Sequence, residues 1–244
     1  MMDSYSDFAR FYESLMEDAR YPERADYLLS LCARFNHETG LCLDLACGTG
    51  SLTRELQSRG VDVFGVDGSE DMLCEAMRGD GILYIYQDMR ELELAESIDT
   101  CFCTLDSLNH LTELSDVEET LFRVGRYMNG GGLFIFDVNT PYKHREVLGN
   151  NAFTIENDTV FCAWQNVTED GVLTEILLDF FEEQDDGSYQ RYSEQFCERA
   201  YTVEELTNAL EKAGFELLAV YGDFTYEPPA DDEQRAVYIA RKKG

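Results

Sequence analysis

The chain of 244 residues contains no apolar run of the roughly 18 residues that a membrane-spanning helix needs. Its start, Met1-Met2-Asp3-Ser4-Tyr5-Ser6-Asp7, has neither a basic stretch nor an apolar core, which argues against a secretory leader. Cys-x-x-Cys pairs are missing among the eight cysteines at 32, 42, 47, 74, 101, 103, 162 and 197. Several of these cysteines fall inside apolar runs, where cysteine acts as a small core residue, and the pattern suits a reducing cytoplasm. The three histidines, 37, 110 and 144, have no ligand spacing with the cysteines, so no metal centre is expected. Basic residues are also scarce: 19 Lys and Arg face 49 Asp and Glu, for a formal charge of −30. Such a surface repels phosphate backbones, and no nucleic-acid partner is expected. The acidity serves solubility first, and attraction of cationic or amine substrates second.

A chain of this length can bury roughly 70–75% of its unfolded surface, enough for one sizeable α/β core. The stretch Leu43-Asp44-Leu45-Ala46-Cys47-Gly48-Thr49-Gly50 reads as a buried strand that ends in a glycine turn and opens a helix at Ser51. Gly48 and Gly50 permit a close approach of a ligand to the main chain, and the helix aims its first amides at the turn. A dinucleotide fingerprint would place a third glycine at position 53, which is Thr53. A second strand ends in Asp67, 23 residues after Asp44, about the separation at which a carboxylate meets ribose hydroxyls.

These residues resemble the class I S-adenosylmethionine-dependent methyltransferases. Asp44 to Gly50 is similar to the first motif of that family, Val66-Asp67-Gly68-Ser69-Glu70-Asp71-Met72-Leu73 to its second-strand motif, and Gln87-Asp88-Met89-Arg90 to its adenine-binding segment. The resemblance is close over residues 41–140 and looser elsewhere. It implies S-adenosylmethionine as cofactor, with the backbone around Ala46, Gly48, Thr49 and Gly50 under the methionine portion and ribose. Asp67 would accept from the ribose, Gly68 and Met72 would border the adenine, and Gln87, Asp88 and Met89 would meet its edge. Asp44 would order the turn or meet the cofactor's ammonium group through water.

Apolar strands alternate with helical patterns from residue 41 to 138, which implies parallel pairing with right-handed crossovers. Gly130-Gly131-Gly132 reads as the break before the fifth strand. Residues 141–200 interrupt the rhythm with four β-rich runs punctuated by Asn157-Asp158, Asp170-Gly171 and Asp185-Asp186-Gly187, the chemistry of hairpins. A capping box at Thr202-Val203-Glu204-Glu205 resumes the core pattern. The expected fold is therefore α/β, a doubly wound, mostly parallel sheet with an inserted small antiparallel β-sheet. The terminal helix and hairpin are similar to the family's seven-stranded Rossmann-like sheet with one antiparallel strand. Residues 1–140 and 201–244 would form the core with an N-terminal helical lid, and 141–200 a cap over the site mouth.

Around the cradle, Tyr12, Tyr21 and Arg24 would lie over the cofactor; Tyr12-Glu13 matches a tyrosine–acid pair of similar small-molecule methyltransferases. Leu105 and Asp106 follow the fourth strand, where this fold faces the transferred methyl, and His110 is placed to orient an acceptor or take its proton. Asn139, Tyr142, Trp164, Tyr192 and Arg199 would line an acceptor pocket. Glu194 to Thr202 resembles a segment of the small-molecule enzymes, with Phe196 where many have histidine. The function expected is methyl transfer to a nitrogen or oxygen of a small molecule. The competing classes are a non-catalytic S-adenosylmethionine-binding or regulatory protein and a nicotinamide-dependent oxidoreductase, against which Thr53 and the adenine segment argue.

Overall fold

The computed structural model describes residue 11 and residues 19–78, 81–157 and 160–244. The first described helix, α1 (Tyr21–Arg34), opens with Pro22 in its first turn, where the missing N–H has no helical partner to lose. It buries Ala25, Leu28, Leu31 and Cys32. There follow β1 (Leu41–Leu45), α2 (Ser51–Ser58), β2 (Asp62–Asp67), α3 (Glu70–Ala76), β3 (Tyr84–Tyr86), β4 (Ile98–Cys103), α4 (Leu114–Tyr127) and β5 (Met128–Asn139). The chain closes with α5 (Val203–Lys212), β10 (Phe215–Gly222) and β11 (Arg235–Lys242), after four intervening strands β6–β9.

The seven-stranded sheet has the order β10-β11-β5-β4-β1-β2-β3, and β11 runs antiparallel to both of its neighbours. Side chains alternate across it. Leu43, Cys101, Phe134 and Tyr238 pack on one face with Val117 and Leu121 of α4 and Leu206 and Leu210 of α5. Cys42, Phe102, Ile135 and Val237 pack on the other with Leu28 and Leu31 of α1 and Leu52 and Leu56 of α2. Helices on both faces explain why these strands read as continuous apolar runs. The Thr202 capping box forms in full, and Ser69 caps α3 by accepting from the Met72 amide. The three glycines do not break the chain before β5: the strand starts at Met128 and runs through them, with a register shift against β4 and Gly131 at φ 87°. The absence of side chains there lets the strand bulge instead of ending.

The strands β6 (Ala152–Glu156), β7 (Val160–Thr168), β8 (Leu173–Glu183) and β9 (Tyr189–Arg199) form a second, purely antiparallel sheet. Gly171 and Gly187 take the left-handed angles that their hairpins require. Val160, Cys162, Ile176, Leu178 and Phe180 line the buried face, which packs on Met72 of α3 and on Phe11, whose ring stacks 5.2 Å from that of Phe180. Between β5 and this sheet lies a π-helical turn, Lys143–Leu148, absent from the sequence reading. Among the described residues no helix is long and apolar enough to cross a membrane.

Candidate active site

At the carboxyl end of β1, Ala46, Gly48 and Gly50 all have positive φ (58°, 54° and 76°), which turns the chain sharply into α2. A Cβ on Gly50 would sit 2.4 Å from the Tyr84 hydroxyl, so this position is closed to any side chain. A Cβ on Gly48 would meet nothing within 4 Å. The main chain there faces open space that a ligand can fill. The Gly48 amide donates to Asp67 Oδ2 at 2.7 Å and the Ser69 amide to Oδ1 at 2.8 Å, so the carboxylate at the tip of β2 ties the turn to the start of α3. A carboxylate has about four acceptor sites, which leaves Asp67 capacity for a diol.

The residue that replaces the dinucleotide glycine has its own task. Thr53 is fully buried and donates its hydroxyl to Asp44 Oδ2 at 2.6 Å. Burial pushes the Asp44 carboxyl up to about 7, the Thr53 hydroxyl opposes this, and the charge of Asp67 adds to it. Burial likewise raises Asp67, against the Gly48 and Ser69 amides. Tyr21, Asp44, Ala46, Cys47, Gly48 and Leu52 line one pocket with Thr104, Leu105 and Ser107 from the end of β4, so the glycine turn and the β4 tip share one space. Thr49 is buried beside them, its hydroxyl 3.5 Å from that of Ser51.

Further along the crevice, Gly68 lies 3.8 Å (from an added Cβ) from the main chain at Gln87 and Asp88. Asp88 caps the short turn Met89–Glu91 and is held by the Arg90 amide and guanidinium, which bring its carboxyl below the usual range. The Gln87 side chain closes on the Glu93 backbone in both directions at 3.0 Å and shapes this loop instead of facing the crevice. Met72 is buried under the cap sheet.

Leu105 and Asp106, at the tip of β4, are consecutive non-glycine residues in the left-handed region (φ 58° and 56°). Such conformations cost on the order of 1–3 kcal/mol each and persist only where surrounding structure dictates them. Here the cause is Asp137 of β5, 1% exposed, whose Oδ2 accepts from the Leu105 amide (2.9 Å) and Oδ1 from the Asp106 amide (2.8 Å). Arg235 of β11 also donates to Asp137 Oδ1, and Arg24 of α1 lies 3.6 Å from Oδ2. Arg235 reaches on to Asp106 Oδ1 at 2.7 Å. Burial alone would raise the Asp106 carboxyl, but the Arg235 and Lys143 charges beside it hold it well below the usual carboxylate range.

Next to this turn lies a polar cluster between core and cap. Asn139 Nδ2 donates to Asp106 Oδ2 (2.9 Å) and to Glu198 Oε2 of β9 (3.0 Å). Lys143 Nζ donates to Asn139 Oδ1 at 2.9 Å, which fixes the orientation of the amide. His110 ends the short 3₁₀ turn Ser107–His110, with its ring 5.1 Å from that of Phe196 and Nε2 4.0 Å from Glu198 Oε1. Asp106, His110 and Glu198 bring potential ligand atoms within 4.8 Å of one another. Both Asp106 oxygens are engaged by Arg235 and Asn139, however, and two cations flank the group, which disfavours a metal ion there.

Several expected residues stand elsewhere. Arg24 is buried, its guanidinium paired in parallel with both Asp223 oxygens at 3.1 Å and its Nε given to the Ala19 carbonyl, contacts that anchor α1. The Arg199 guanidinium donates to Glu205 and to the Thr112 carbonyl, tying the end of β9 to α5. Trp164 donates its indole N–H to Asn166 and meets Phe153 edge-on within the cap. Tyr192 packs on Phe11 at 5.3 Å and its hydroxyl lies 3.3 Å from Glu182, also within the cap. Tyr142 precedes the π-helical turn, half-buried. Tyr12 lies outside the described residues. Sequence reading missed Asp137, Lys143 and Arg235, which carry no local motif, and gave Glu198 no role although it lies inside the Glu194 to Thr202 segment.

Comparison with known proteins agrees with this geometry. Residues 42–132 match the family model of a methyltransferase domain. A protein of Geobacillus sp. (strain WCH70) that carries a provisional methyltransferase name is 33% identical over 98% of this chain and 100% of its own length. The dTDP-3-amino-3,6-dideoxy-alpha-D-glucopyranose N,N-dimethyltransferase of Streptomyces fradiae is 26% identical, covering 88% of each chain. In the crystal structure of a S-adenosylmethionine-dependent methyltransferase from Clostridium acetobutylicum ATCC 824, 98% of this chain and 99% of that one superpose with TM-score 0.88 at 32% identity. With the glycine turn, the strand-end carboxylate and the antiparallel seventh strand all in place, this chain is an enzyme that belongs to the class I S-adenosylmethionine-dependent methyltransferases.

Proposed function

We propose that the enzyme transfers a methyl group to a nitrogen or oxygen of a small-molecule acceptor seated between the tip of β4 and the cap sheet. The observation that carries this reading is the juxtaposition of His110, Asp106, Asn139 and Glu198 at that tip, beside the pocket lined by Gly48 and Leu105. The amino-sugar N,N-dimethyltransferase among the similar proteins supports an acceptor of this size, and the charge of −30 weighs against nucleic acid. Residues 141–200 would act as a cap on a core formed by 1–140 and 201–244. The free cysteines, most of them buried, suit a cytoplasmic setting.

S-adenosylmethionine, when bound, supplies a methyl carbon already activated by a sulfonium centre. The protein's part is alignment and exclusion of water. Asp67 would accept from the ribose hydroxyls and the Gly48 main chain would lie against the cofactor, with Asp88 and the Met89 amide at the adenine edge. Leu105 and Asp106, fixed by Asp137, would set the position of the acceptor relative to the methyl. His110 would take the proton that the acceptor heteroatom releases.

A metabolite screen with labelled methyl donor identifies the acceptor. His110→Ala is then expected to lower kcat by roughly 10²–10⁴-fold, the usual range for a lost general base, with cofactor affinity unchanged. Normal turnover by that variant would remove His110 from the mechanism.

A further inference from the structure

We infer that Glu198, brought to the site by cap strand β9, is the positioning residue for His110: it holds the imidazole through Nε2–H and leaves the Nδ1 lone pair as the basic atom. This rests on the reading of His110 as the base, and assigns the cap a direct part in preparing that base.

The geometry converges on Glu198 from several elements. Phe196 and Glu198 are two residues apart on β9 and so project from the same face of the strand. Phe196 lies against the His110 ring at 5.1 Å, while Glu198 Oε1 stands 4.0 Å from Nε2. Two adjacent positions on one strand face thus meet the same imidazole, one by ring contact and one by charge. Glu198 is 4% exposed, and its other oxygen is tied to Asn139, which directs Oε1 toward His110. The separation exceeds a hydrogen bond, but catalytic contacts are often long in the unliganded enzyme and tighten in the loaded one.

Behind Glu198 sits a second imidazole that the proposed reaction does not use. Thr174 and Glu198 are paired across β8 and β9, both buried, and His144 of the π-helical turn lies against the pair. His144 is fully buried; its Nδ1 is 2.9 Å from the Thr174 hydroxyl and its Nε2 is 3.8 Å from Glu198 Oε2. Among the described residues no hydrogen-bond partner reaches that Nε2. Burial pushes His144 down to about 4, with the Asp106 charge opposing and Lys143 adding, so the ring is neutral and carries one N–H. A hydroxyl donating to Nδ1 places that N–H on Nε2, facing Glu198. Burial and the Asp106 charge raise the Glu198 carboxyl, and the groups that oppose them are His110, Asn139 and Lys143. A carboxylate with an imidazole at each oxygen dictates the tautomer of both rings, since the hydrogen bond made at one nitrogen decides which carries the proton.

Long-range ¹H–¹⁵N spectra of the imidazoles test this on the full chain saturated with S-adenosylhomocysteine at pH 8, with no need for the acceptor. The wild type is expected to show His110 and His144 as Nε2–H tautomers. In E198Q the single-tautomer pattern of His110 is expected to be lost toward averaged shifts, while His37, whose Nε2 meets the Thr100 hydroxyl at 2.8 Å, stays put. E198D keeps the charge one methylene further back and is expected to fall between the two, which decides the matter should E198Q fail to fold. An Nδ1–H tautomer of His110 in the wild type, or an unchanged His110 pattern in either folded variant, overturns the proposal. Because the spectrum involves no turnover, that failure is distinct from a failure to find methyl transfer.

Discussion

Replacing Asp137 by alanine is expected to destabilise the enzyme by about 3–5 kcal/mol, the usual cost of removing one member of a buried charge network. Asp137 is 1% exposed and faces two arginines, Arg24 (3% exposed) and Arg235 (15%), that come from opposite ends of the chain. The alanine variant leaves both guanidinium groups with one carboxylate fewer, Asp223 for Arg24 and Asp106 for Arg235. It also removes the acceptor of the Leu105 and Asp106 amides, the bonds that hold two residues at positive φ. For a chain of this size the loss corresponds to a fall in Tm of roughly 6–20 °C by calorimetry. Asp137→Asn keeps an acceptor without the charge and is expected to lose less. A shift of under about 1 kcal/mol in the alanine variant would assign the left-handed turn to some other cause.

The second large effect belongs to Asp67. Asp67→Ala is expected to weaken S-adenosylmethionine binding by about 1–3 kcal/mol, through ribose hydroxyls left without their acceptor. That is roughly a 5- to 150-fold rise in Kd by titration calorimetry. The structure adds a contribution that the motif alone does not disclose. The same carboxylate joins the Gly48 and Ser69 amides, so the variant also loosens the turn and the cap of α3. Part of the lost affinity is therefore expected to appear as lower stability of the free enzyme. Unchanged affinity would refute the placement of the ribose at β2.

The parts of the fold that could be read from the sequence are those written locally. The glycine turn, the Asp170-Gly171 hairpin and the Thr202 box each need only a few consecutive residues, and each forms as expected. Thr53 announced that the fingerprint was not a dinucleotide one, but its bond to Asp44 appears only once α2 folds back on β1. The polar network is of another kind. Asp137 and Arg235 lie 98 residues apart and nothing in their immediate neighbours marks them, while Asn139 and Glu198, each beside a recognisable segment, lie 59 apart and are joined only by the fold. Arg24 and Arg199 show the converse. A lone arginine near a motif looks available for a ligand until the fold supplies Asp223 or Glu205 to take it. The bulge at residues 130–132 shows the same limit, because a glycine run reads alike as a break and as a strand that must bend.

A crystal structure of the enzyme with S-adenosylhomocysteine tests the central claim most directly. Both ribose hydroxyls are expected within hydrogen-bond distance of Asp67, the main chain of Gly48 against the ligand, and the sulfur end toward Leu105 and Asp106. A nucleoside bound away from the β1 turn, or with its sugar out of reach of Asp67, would contradict it.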